Sequence, residues 1–214
     1  MKHAVIFDLD GTLIHSLPDI AAAMNRALRS SGLKEHTEEE YKYMVGEGVI
    51  NLARRAVGER QDCLDSVLNA YRADYAQHNC VASRPYRGVS DMLEALQGLG
   101  VSVCVFSNKD QSDVDRVLSH YFPGFPFAAV RGRREKVPIK PDPEGAILIA
   151  RDLGLSPREF FYVGDSGTDM RCGRAAGMDT VGVLWGFRPR EELTASGAIY
   201  LIAEPKELVD LISA

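Results

Sequence analysis

The chain has 214 residues, 45% of them hydrophobic, and a formal net charge of −5. That length suits one substantial core with room for a small second domain. The negative balance excludes the basic footprint of a nucleic-acid binder, and no apolar run approaches the length of a membrane span. An anionic small molecule stays open as a partner, because a site can be locally positive.

The apolar run 3–7 predicts a central strand of a parallel sheet, covered on both faces. It breaks into Asp8-Leu9-Asp10-Gly11-Thr12-Leu13, two carboxylates one residue apart followed by a sharp turn and a hydroxyl. Neighbouring carboxylates resist joint ionisation unless a cation neutralises them. Asp8 therefore reads as a metal-assisted nucleophile with Asp10 as acid/base partner, or the pair as an ordinary Asp-Gly turn. Residues 17–31 have helical spacing, with Ser16 as cap, Pro18 in the first turn and Gly32 as stop. Thr37 followed by Glu40 predicts a capping box for a second helix. Segments 49–57 and 62–78 read as further helices, and Met44-Val45-Gly46-Glu47-Gly48 as a loop between helices. The stretch 17–82 is thus helical, and it interrupts an α/β alternation.

The alternation resumes with a helix at 89–99 and a strand at 101–106, followed by Ser107-Asn108-Lys109. A helix at 111–120, a short strand at 127–130 and a basic connection at 131–138 come next. Lys140-Pro141-Asp142-Pro143 introduces a helix at 144–152. A strand at 160–163 runs into Gly164-Asp165-Ser166-Gly167-Thr168-Asp169, then a helix at 169–176. A strand at 180–183, a weak one near 199–200 and a helix from 205 complete the pattern. Cys63, Cys80, Cys104 and Cys172 have no metal-ligand or disulfide-framework spacing. The first residues enter a strand without a signal-type run, so a reduced, cytoplasmic protein is expected.

Asp8, Ser107 and Asp165 each follow the apolar end of a predicted strand. In a parallel sheet those ends share one edge, so distant segments converge on one crevice, within reach of Lys140. Each residue has two readings. Ser107 and Asn108 bind phosphate through a hydroxyl and helix-start N–H groups, or merely cap the next helix. Lys140 holds phosphate oxygens, or is a surface lysine. Asp165 and Asp169 are oxygen ligands of a Mg²⁺ ion, or acidic residues favoured at a helix start.

Taken in order, Asp8-Leu9-Asp10-Gly11-Thr12-Leu13, Ser107-Asn108, Lys140 and Gly164-Asp165-Ser166-Gly167-Thr168-Asp169 resemble the four motifs of the haloacid dehalogenase superfamily, in its phosphatase branch. The resemblance implies a Rossmann-like parallel sheet with helices on both faces and an inserted helical cap, the α/β core being 1–14 and 83–214 and the cap 15–82. It implies a Mg²⁺-dependent phosphatase in which Asp8 becomes an aspartyl phosphate and Asp10 is the acid and then the base. The metal would be held by Asp8, Asp165 and the backbone carbonyl of Asp10, with Asp169 close by. Ser107, Asn108, Thr12 and Lys140 would meet the phosphorylated substrate.

Met44-Val45-Gly46-Glu47-Gly48 and Gly182-Val183-Leu184-Trp185-Gly186-Phe187 resemble the phosphoglycolate phosphatase subgroup. They place Gly46 and Glu47 against the leaving portion, unless the glycines are simply hinges. Phosphoglycolate is the first candidate. A sugar phosphomutase of the β-phosphoglucomutase type, in which valine is common at the position of Thr12, and a pyrophosphatase or nucleotidase are the alternatives. The expected partner is a small phosphorylated metabolite, with no nucleic acid and no membrane, for a monomer or homodimer. His15 departs from the aspartate common in relatives and is expected to make a hinge-side hydrogen bond. Arg131-Gly132-Arg133-Arg134 is expected to be a solvated connection on the sheet's edge.

Overall fold

The computed structural model describes residues 2–135 and 137–214. Six parallel strands form the sheet: β1 (Ala4–Phe7), β4 (Ser102–Asp110), β5 (Ala129–Arg133), β6 (Phe160–Gly164), β7 (Asp179–Val183) and β8 (Tyr200–Ile202), in the order β5-β4-β1-β6-β7-β8. The first strand lies at the centre, between β4 and β6. Its side chains alternate between faces, as a strand requires. Val5 and Phe7 join one apolar cluster with Val103, Val105, Val163 and Val181, whereas Ala4 and Ile6 join another with Cys104, Phe106, Phe160 and Tyr162. Helices α5 (Val89–Gly98), α6 (Gln111–Tyr121) and α10 (Lys206–Ser213) supply side chains to the first cluster, and α7 (Glu144–Asp152) and α8 (Gly167–Ala175) to the second. Burial on both faces explains why the strands read as continuous apolar runs.

A third cluster belongs to α1 (Leu17–Ser30), α2 (Glu38–Met44), α3 (Val49–Val57) and α4 (Leu64–His78). Met24, Leu28, Tyr41, Leu52, Val67 and Tyr75 are buried there, and Phe187 enters from outside the four helices. The Thr37–Glu40 capping box forms as expected. Two chain segments tie this block to the sheet, pairing antiparallel as β2 (Ile14–His15) and β3 (Arg84–Pro85). The buried Asp19 carboxylate fastens the returning segment, accepting the N–H groups of Val81, Ala82 and Ser83 and the Ser83 hydroxyl at 2.7–2.9 Å. His15 lies on this ribbon, its Nδ1 3.4 Å from the Tyr86 hydroxyl.

Four differences from the sequence reading have local causes. β4 runs on to Asp110, so Ser107, Asn108 and Lys109 lie within the strand rather than after it. The basic run lies at the sheet's edge as expected, but Arg131 and Arg133 belong to the edge strand β5 itself, paired with Asp152 and Asp110 at 2.5 Å, rather than to a connection. A charged edge of this kind discourages further strand pairing. α8 starts at Gly167 because Ser166 caps it and Asp169, its third residue, reaches back to the Ser166 N–H. The short helix α9 (Arg190–Ala195) was not expected; it buries a single apolar side chain, Leu193, too little for a periodic signal. Among the described residues no helix is long and apolar enough to cross a membrane.

Candidate active site

Because β1 lies between β4 and β6, three chemistry-bearing segments emerge side by side at the carboxyl edge of the sheet. The Asp8 N–H donates to the Val163 carbonyl at 2.9 Å, which continues the β1–β6 pairing and carries the Asp8 side chain just past the strand end. Asp165 follows β6 directly, and Asp169 stands in the first turn of α8. Lys140 comes from the connection between β5 and α7.

Lys140 is the hub of this group. Its side chain is 1% exposed, and Nζ lies 2.7 Å from an oxygen of Asp8 and 2.7 Å from one of Asp169. Asp169 also accepts the Ser166 hydroxyl at 2.6 Å. Asp165 accepts the Phe187 N–H at 2.8 Å and the Thr12 hydroxyl at 3.3 Å. Asp8, Asp165 and Asp169 each offer a carboxylate oxygen within 4.8 Å of the others. Gly11, at φ +90°, makes the turn that brings the first loop against Asp165, and a side chain there would run into that carboxylate.

One ammonium does not balance three buried carboxylates, and their proton affinities respond. Burial, against the opposing pull of Lys140 and with repulsion from Asp169, raises Asp8 to about 7. Burial, then Asp169 and Asp8, push Asp165 well above the usual carboxylate range. Burial works against the Lys140 charge, but Asp169 and Asp8 outweigh it and hold the ammonium above its ordinary value. Oxygen donors this close, with negative charge left over, suit a hard divalent cation.

Asp10 faces the other way. Its carboxylate lies outside the three-carboxylate cluster and is gripped through both oxygens by Lys109 Nζ, each at 2.7 Å. The ammonium thus claims both side-chain oxygens of Asp10, and the metal ligand expected from this residue is its backbone carbonyl. Lys109 itself was missed in the sequence; the signal available was a lysine beside a strand-end serine, on the same edge as Asp10. Burial disfavours its charge, Asp10 restores it, and the balance keeps the Lys109 ammonium above its usual value.

The remaining expected site residues divide between those facing the cavity and those holding the frame. Ser107 is buried against the cavity, with its hydroxyl accepting the Lys109 N–H at 3.2 Å. The Asn108 amide is consumed by the frame: it bonds the Lys140 N–H at 2.8 Å, the Lys140 carbonyl at 3.1 Å and the Gly46 carbonyl at 2.9 Å. Asn108 thus positions the lysine and the loop after α2, with both amide N–H donors spent on carbonyls of the frame, while the residue also lines the cavity. Gly46 and Gly48 line the cavity, but Glu47 turns outward to pair with Arg55 and does not. That corrects the expected contact of Glu47 with the substrate. Trp185 donates its indole N–H to the Thr12 carbonyl at 3.0 Å and packs against the sheet cluster.

Above the sheet edge the helical block roofs a half-open cavity of about 50 Å³. Its floor is Asp8, Asp10, Ser107 and Lys109, and its roof Ile20, Val45, Leu52, Tyr71 and Tyr75. Arg188, next to the Asp165 partner Phe187, reaches the end of α2, bonding the carbonyls of Lys42 and Val45, the latter at 3.1 Å.

Residues 5–183 match the family model of the haloacid dehalogenase-like hydrolases. A phosphoglycolate phosphatase of Rhodospirillum rubrum is 33% identical over 219 residues, covering 98% of this chain and 90% of its own. An N-acetylmuramic acid 6-phosphate phosphatase of Pseudomonas aeruginosa is 30% identical, covering 98% and 94%. The crystal structure of a candidate phosphoglycolate phosphatase from Lactobacillus delbrueckii subsp. bulgaricus superposes with a TM-score of 0.92 over 99% of both chains, at 28% identity. With the match running through the sheet, the helical block and all four motifs, the chain belongs to the haloacid dehalogenase-like hydrolases, as one of their phosphatases.

Proposed function

We propose that the protein hydrolyses a short phosphomonoester through an aspartyl phosphate on Asp8, with phosphoglycolate the first candidate, under a helical cap formed by residues 15–82. The observation that carries this reading is the pair of opposed carboxylates. Asp8 is clustered with Asp165, Asp169 and Lys140, while Asp10, two residues on, opens toward the cavity beside Lys109.

An Asp8 oxygen attacks phosphorus in line, the bond to the ester oxygen breaks, and Asp10 delivers a proton to the departing alcohol. Asp10 then takes a proton from water as that water attacks the acyl phosphate, which returns Asp8 as carboxylate and releases phosphate. Lys140 holds a phosphoryl oxygen while remaining tied to Asp169, and the Ser107 hydroxyl donates to a second. Asp8, Asp165 and the Asp10 carbonyl would hold Mg²⁺, with Asp169 nearby, and the ion would offset the carboxylate and phosphoryl charges.

The small cavity supports a short substrate over a phosphorylated amino sugar. A phosphate-release screen over phosphoglycolate, N-acetylmuramic acid 6-phosphate, β-glucose 1-phosphate, pyrophosphate and nucleoside monophosphates tests this. The reading expects the highest kcat/KM for phosphoglycolate; rearrangement of the sugar phosphate without free phosphate would favour the mutase, and preference for a bulky ester would refute the short-substrate reading.

A further inference from the structure

Once phosphorus is placed on Asp8 and the ester oxygen on Asp10, whatever that oxygen carries must lie beyond Asp10, under the helical roof. The wall there is mostly apolar: Ile20, Val45, Val49, Leu52, Tyr71 and Tyr75. Its acidic members already have partners elsewhere. Asp110 is paired with Arg133 at 2.5 Å and with Arg72 at 3.5 Å, and Asp113 with Arg116. Among the described residues lining this cavity, Lys109 is the one cation.

Its ammonium is 6% exposed at the side chain, and Nζ lies 4.9 Å from the centre of the Tyr75 ring. An ammonium carries three N–H donors. Two serve the Asp10 oxygens, and among the described residues the third has no polar partner and lies against the face of that ring.

We propose that Lys109 is the substrate-selecting residue: its free donor receives a carboxylate one or two carbons from the ester oxygen of the departing alcohol. The proposal rests on the phosphatase reading and narrows its substrate class to short phosphorylated hydroxy acids. A carboxylate placed beside Asp10, Asp110 and Asp113 without Lys109 would be repelled and undersolvated. The apolar roof strengthens the one attraction on offer. A sugar substituent would bring several hydroxyls to a wall with few polar groups, at the cost of leaving them unpaired. The narrow space disfavours bulky substituents for as long as the loop holding Gly46 stays bonded to Asn108.

The test compares phosphoglycolate with phosphoglycolamide, which keeps the skeleton and the ester oxygen but removes the negative charge. Wild-type protein should prefer the acid. Lys109→Met and Lys109→Gln should each cut that preference, expressed as a ratio of kcat/KM values, by at least about 30-fold, mainly through KM. Lys109→Arg should recover part of it. The ratio cancels any loss through Asp10, because both esters need the same proton. If both variants slow the two esters by the same factor, or if wild-type protein prefers the amide, the selecting role is wrong while the phosphatase reading stands. If wild-type protein releases phosphate from no ester, the phosphatase reading falls first.

Discussion

The floor of the cavity is built from side chains at strand ends, whereas its roof meets the floor largely through backbone carbonyls. On the floor, Asp8, Ser107 and Asp165 are placed by three neighbouring strands of one sheet, and Lys140 binds two carboxylates at once. On the roof, Asn108 reaches the Gly46 carbonyl and Arg188 those of Lys42 and Val45. The first arrangement fixes charge to within the tolerance of the sheet. The second can release and reform at lower cost, since a few hydrogen bonds worth about 1 kcal/mol each, the buried Phe187 and the Arg72–Asp110 pair hold it.

Damage to the floor should therefore cost most. Lys140→Met removes the one ammonium among Asp8, Asp165 and Asp169, and phosphate release should fall by about 10³-fold. At pH 8 without metal, the carboxylates left facing each other should also lower stability by about 3 kcal/mol, read from urea unfolding. Unaltered kinetics would show that a different cation holds the phosphoryl group.

The contrast also explains what could be read from the residues alone. Strand ends announce themselves by an apolar run meeting a polar residue, so Asp8 and Asp165 were visible and the order of motifs placed them on one edge. The partner of Asp10 was hidden, because β4 continues four residues past its apolar run and turns Lys109 toward it. Asn108 was legible as a site residue but not as a frame residue, since which carbonyls an amide reaches depends on a loop from another part of the chain. Glu47 sits in a glycine-flanked loop whose direction no periodicity records, and Arg55 on the following helix decided it.

A smaller effect follows from the crowding of the floor. The folded protein without metal keeps a proton on Asp8 up to about 7, whereas an unfolded chain releases it near the ordinary aspartate value of 3.8. The native state therefore holds more protons across that interval, and this group's contribution to stability falls as pH rises through it. Mg²⁺ competes with the same protons, so its binding should tighten as pH rises past 7. Melting curves should show a larger Mg²⁺-induced increase at pH 8 than at pH 6. Asp165→Asn should raise the metal-free melting temperature and abolish most of the Mg²⁺ increment. An increment independent of pH would place the ion elsewhere.

The roof should yield the smallest change. Arg188→Ala frees the end of α2 and should raise KM about five- to tenfold, with less effect on kcat and about 1 kcal/mol lost in stability. A fall in kcat as large as that of Lys140→Met would erase the distinction between roof and floor.

The central claim is the covalent bond on Asp8. Acid quenching during steady-state turnover of phosphoglycolate, followed by peptic digestion and mass spectrometry, reads it directly. The account predicts one phosphoryl group on the peptide containing Asp8, and no adduct or phosphate release with Asp8→Asn. Sustained hydrolysis by Asp8→Asn, with no trapped phosphopeptide in the wild-type protein, would contradict it.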